Sequence, residues 1–153
     1  MSEWYRRVSG NISELPDAIT YFESELNKAK METSLKGNLE TNSRLMPGIV
    51  EHRFNQLQEI EAILEYLNIL LRKKRSEVFR KYTENYNRAL TSRDADRYVD
   101  GDDEVYQYQL LVNEFAMVRN KFLGLMKAID AKQFQINNIT KLRVAGMEDT
   151  TLG

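Results

Sequence analysis

Cysteine is absent from this 153-residue chain, which excludes disulfides, thiolate nucleophiles and cysteine-based metal sites. Proline occurs only at Pro16 and Pro47, and histidine only at His52. A lone imidazole on a polar stretch, with no second ligand nearby in sequence, supplies neither a metal site nor a general base. No apolar run approaches the roughly 20 residues of a membrane span. The opening MSEWYRRVSGN lacks the apolar core of a secretory signal, so the expected address is a reducing cytoplasm. No phosphate-cradling glycine loop, nucleophile elbow or dinucleotide fingerprint occurs. The chain reads as a binding protein, not an enzyme, with no cofactor and no metal.

What is present is a soluble, helix-rich composition: 29% charged and 42% hydrophobic residues, enough for one domain at this length. Net charge is −1, but it is unevenly spread. Residues 1–71 carry 7 basic and 11 acidic side chains, residues 72–97 carry 9 and 4, and residues 98–153 carry 6 and 8. Anion binding follows the charge of a patch, so the middle segment is the place to look.

Pro16, preceded by Ser13, starts a predicted helix over about 15–35 that Gly37 and Asn38 stop. GNLETNSRLMPG then reads as a linker, and a second helix is predicted from Pro47 to about Leu90. At 1.5 Å per residue it would be a rod of about 60 Å. TSRDADRYVDGDD reads as an acidic turn, its carboxylates capping a third helix that Gly146 ends near Ala145. Apolar residues recur at steps of three and four: Leu57, Ile60, Leu64, Leu67, Leu71, Val78 and Tyr82, then Leu111, Phe115, Val118, Phe122, Leu125, Ile129 and Ile136. That is the seam of a helical hairpin or coiled coil. The predicted fold is all-α: an N-terminal helix and linker over 1–46, a long coiled-coil-like hairpin over 47–147, and a tail over 148–153. Further apolar residues beside the seams exceed what such a hairpin would bury alone, so a homo-oligomer is expected.

The stretch LLRKKRSEVFRKYTENYNR, residues 70–88, departs from this pattern. At 100° per residue Lys74, Lys81 and Arg88 form one stripe, and Arg75, Phe79, Tyr82 and Tyr86 a second beside it. Cations next to rings suit unpaired nucleic acid, where charge follows the phosphates and rings stack on bases. The bland reading stands beside it: Val78 and Tyr82 continue the leucine seam, making the rings core and the cations a solvated flank. The acidic run from Asp94 to Glu104 falls out of register with a calcium loop and reads as turn and cap. Near the C-terminus, amides at Gln133, Gln135, Asn137 and Asn138 interleave with Phe134, Ile136 and Ile139, a pattern suited to a subunit interface.

In order along the chain, NSRLMPGIVEHRFNQL, LLRKKRSEVFRKY and FLGLMKAIDAKQFQINNITKLRVAGM resemble the UvsY family, the recombination mediators of T-even-type phages and their marine relatives. The resemblance spans about residues 40–147 and is most specific in KQFQINNITKLRVAGM. It implies a ring-forming, non-enzymatic protein that binds single-stranded DNA and helps load a RecA-like recombinase onto strands coated by a single-strand-binding protein. The address would then be the host-cell cytoplasm. Carried residue by residue, the DNA contact falls on Lys73, Lys74, Lys81 and Tyr82, with Arg80 and Arg88 beside them. Oligomerisation falls on the region from Phe115 to Leu142, with Val118, Phe122, Leu125, Ile129, Ile136 and Ile139 as its apolar positions. The competing expectation is a phage assembly protein, a helical adaptor that makes no DNA contact.

Overall fold

The computed structural model describes residues 3–85 and 90–146. Among them every regular element is helical: α1 (Glu3–Gly10), α2 (Leu15–Glu32), α3 (Leu39–Glu84), α4 (Ser92–Asp100) and α5 (Asp103–Val144), with a single 3-10 turn at Ile12–Glu14. No described helix is long and apolar enough to cross a membrane.

Local chemistry sets the ends. Gly37 takes a left-handed φ of 80°, which only glycine adopts without strain. Asn38 follows and accepts the Glu40 backbone N–H at 2.7 Å, so α3 starts eight residues before Pro47 and the predicted linker is mostly helix. Pro47 is the ninth residue of α3, where a proline costs one internal hydrogen bond and crowds the carbonyl four residues back; Asn38 supplies a cap upstream. The predicted acidic turn also contains a helix. Thr91 accepts the Asp94 N–H at 3.2 Å and its hydroxyl donates to the Asp94 carboxylate at 2.9 Å, a reciprocal cap that starts α4. Asp102 Oδ1 accepts the Glu104 N–H at 3.0 Å and starts α5, as the sequence predicts. Gly146, at φ 74°, ends it.

The chain divides into two compact units, each built from two stretches: Met1–Ile19 with Glu59–Arg119, and Thr20–Gln58 with Asn120–Gly153. In the first, Ile60, Ile63, Leu67, Val99, Phe115 and Val118 are core. Helix α1, absent from the sequence expectation, is tied to α3. The Glu59 carboxylate accepts the Trp4 N–H at 2.9 Å, the Tyr66 hydroxyl donates to Ser9 O at 3.3 Å, and the Tyr5 and Tyr66 rings meet edge to face.

In the second unit Phe22 of α2 meets Phe122 of α5 at right angles, centroids 6.2 Å apart. Both rings are wholly buried, each contributing about 2–3 kcal/mol by removal from water. The same unit buries Arg53, 1% exposed. Its guanidinium donates to Glu25 at 2.6 Å, to Glu32 at 2.8 Å and to the Gln56 amide oxygen at 2.8 Å, and the Gln56 amide returns to Glu25 at 3.1 Å. Burial alone would raise the Glu25 pKa; hydrogen bonds from Gln56, Arg53 and Lys28 overcome it and bring it from 4.5 down to about 2.

Two outcomes follow from this cluster. Arg53→Met leaves the buried Glu25 carboxylate with only Lys28, 3.2 Å away, and should lower stability by about 3 kcal/mol, the low end for breaking a buried pair, read from the urea midpoint. Because the Glu25 pKa is lower folded than unfolded, its contribution is complete above about pH 4.5 and disappears as the pH falls toward 2. A depression of this size is worth about 3 kcal/mol, and Glu25→Gln should flatten that part of a stability-versus-pH curve.

Candidate nucleic-acid interface

The basic segment lies on α3 where it runs alongside α4 and the start of α5, within the first unit. The leucine seam behind it behaves as predicted: Leu57 through Leu71 and Val78 are buried, and Tyr82, the last seam position, is half-buried. The ring of Tyr82 stacks on Tyr98 of α4, centroids 5.2 Å apart and planes 21° from parallel. Phe79 is half-buried and Tyr98 is 43% exposed.

The cations divide into two groups. Lys74 donates to Glu104 at 2.8 Å and lies 3.3 Å from Glu77, 23% exposed, with Tyr108 5.9 Å from its ammonium. The hydrogen bonds to Glu104 and then Glu77 raise its pKa, because they favour the charged form. Arg75 donates to Asp100 at 2.8 Å. Lys73, Arg80 and Lys81, in contrast, are exposed. Among the described residues Lys73 and Lys81 form no ion pair, and Arg80 has only a 3.7 Å contact with Glu84 on its own helix.

The stripe of Lys74 and Lys81 borders a cleft of about 420 Å³ that Glu77, Asp102, Asp103 and Glu104 also line. Acids outnumber lysines there, so that cleft does not attract phosphate. The exposed positive face is the row through Lys73 and Arg80, seven residues apart and thus nearly eclipsed on the helix, and Lys81 is exposed about 100° round from it. Tyr86 and Arg88 lie outside the described residues.

Sequence reasoning missed Asp100, Glu104 and Tyr98 as partners of the basic segment. Their signal is the acidic run itself, which in sequence reads as turn and cap. Asp102 does cap; Asp100 and Glu104 reach across to α3.

The residues predicted for oligomerisation are mostly core of the chain's own units. Phe115, Val118, Phe122, Leu125, Ile129 and Ile136 are buried, Ile139 is half-buried and Leu142 is 41% exposed. The reason is that α1, α2 and α4 cover apolar surface that a bare hairpin would leave open. No known family model, curated protein or solved structure matches the chain.

Proposed function

We propose that the protein binds single-stranded DNA as a non-enzymatic recombination mediator of the UvsY type, working as a homo-oligomer with a RecA-like recombinase and a single-strand-binding protein as partners. The observation that carries the DNA contact is the aromatic pair Tyr82 and Tyr98, already in stacking geometry, with exposed Lys81 next to it in sequence and exposed Lys73 and Arg80 on the far face of the same helix. Phosphates would pass from Lys81 round the helix to Lys73 and Arg80, and bases would extend the ring stack at about 1–3 kcal/mol each. The mediator role and its partners rest on the resemblance of residues 40–147. Self-association would draw on the apolar side chains still exposed on α5, Phe134 and Leu142 among them.

Lys74 and Arg75 take a different part in this reading. Each is held by a carboxylate that occupies the place of a phosphate, so DNA reaches them only by displacing Glu104 and Asp100. The same two ion pairs favour the second reading, a helical adaptor that makes no contact with DNA.

Salt titration of a labelled single strand separates these possibilities. Three phosphate contacts per chain predict a log–log slope of about −2, and displacement of both carboxylates deepens it to about −3.5. Absence of binding at low salt leaves the adaptor. Lys73→Ala, Arg80→Ala and Lys81→Ala should each weaken binding several-fold and make the slope shallower by about 0.7. Asp100→Asn and Glu104→Gln should tighten binding, whereas an adaptor would show no change in either direction.

A further inference from the structure

A second charged surface lies in the other unit, on residues the DNA reading does not use. Between α2 and α5 runs an open groove of about 510 Å³ whose rim carries Lys30, Lys121 and Lys132 and whose floor is formed by the edges of Leu26, Leu125 and Gly124. Of these three, Lys121 alone forms an ion pair among the described residues, with Glu23 at 3.4 Å. Lys132 donates at 3.1 Å to the Thr33 hydroxyl, a neutral group that itself donates to Ala29 O at 2.7 Å. Among the described residues neither Lys132 nor Lys30 forms an ion pair, so the rim keeps most of its charge. A Cβ built on Gly124 meets nothing within 4 Å, so the groove is open above it.

We propose that this groove docks an acidic amphipathic helix of a partner protein, apolar side chains over Gly124 and carboxylates against Lys30, Lys121 and Lys132. Both walls present side chains at three- and four-residue helical spacing, the pattern a third helix packs into. Charge complementarity selects the acidic partner and fixes its register. Nucleic acid fits less well: no ring lines the groove, and single-strand sites rely on stacking.

The test uses the full chain and a fluorescein-labelled synthetic peptide with leucines at helical spacing flanked by glutamates, followed by fluorescence anisotropy. A control peptide has every glutamate replaced by glutamine. The acidic peptide should bind, more weakly with rising salt, and the glutamine peptide should bind at least about tenfold more weakly. Lys30→Glu and Lys132→Glu should each cost about tenfold. Gly124→Leu should block binding without lowering the melting temperature, because its side chain enters open space. Lys30→Glu disturbs no hydrogen bond or ion pair of the described residues, so its effect reads the rim charge and not a loss of folding. The proposal is overturned if the acidic peptide does not bind, if both peptides bind equally, or if the variants leave binding unchanged. It is equally overturned if the variants weaken single-stranded DNA binding while the peptide fails to bind, which would make the groove a nucleic-acid contact.

Discussion

A guanidinium cannot lose its protons to escape burial, and Arg53 is almost wholly out of water. Wherever such a group is buried, carboxylates must come to it, and here they come from a second helix: Glu25 and Glu32 of α2 meet Arg53 of α3, with Gln56 closing the circuit. Sliding either helix by one turn would leave a buried charge unmatched, at a cost of several kcal/mol. Apolar packing such as Phe22 against Phe122 is more tolerant of register, since leucine and phenylalanine surfaces re-pack with small losses. The ionic cluster therefore specifies how α2 lies on α3 in its unit, while the aromatic and aliphatic seam supplies most of the stabilisation.

The same logic operates in weaker form at the surface of the other unit. Lys74 and Arg75 are matched by Glu104 and Asp100, in water-accessible pairs that contribute little to folding. Their consequence is electrostatic. A segment that carries 9 basic and 4 acidic side chains in the sequence offers less open charge than that count: Lys74 and Arg75 are engaged, while Lys73, Arg80 and Lys81 on α3 and Arg93 and Arg97 on α4 are exposed. An anion approaching the segment thus meets open cations first and competes with carboxylates for the others. Exposed ion pairs exchange easily at moderate salt, so this competition sets affinity more than access.

Periodicity made the long helices and their buried seams legible, because a residue facing the core every three or four positions leaves a trace in composition alone. The capping of α5 by Asp102 and its termination at Gly146 were legible for a similar reason: both depend on the local chain. Helix α1 was not, since it is short and polar and is held by Glu59 and Tyr66, residues distant in sequence. The beginning of α3 differs from the expectation because Pro47 marks a start only by its own conformational preference, whereas the Asn38 cap begins the helix eight residues earlier and the helix continues through Pro47. Helix α4 was concealed in a segment whose acids served two purposes.

Residue types and their order suffice for the helical class, the faces turned inward, the absence of sulfur chemistry and the concentration of positive charge near residue 75. Each depends on residue type and spacing, and neither changes when the chain folds. Tertiary structure alone decided that Arg53 is a core residue, that Lys74 and Arg75 are matched while Lys73 and Lys81 stand open, that Tyr82 stacks on Tyr98, and that three lysines from two helices share one groove. All of these are meetings between side chains far apart in sequence, and their energies come from distance and exclusion of water, quantities that a linear order of residues does not contain.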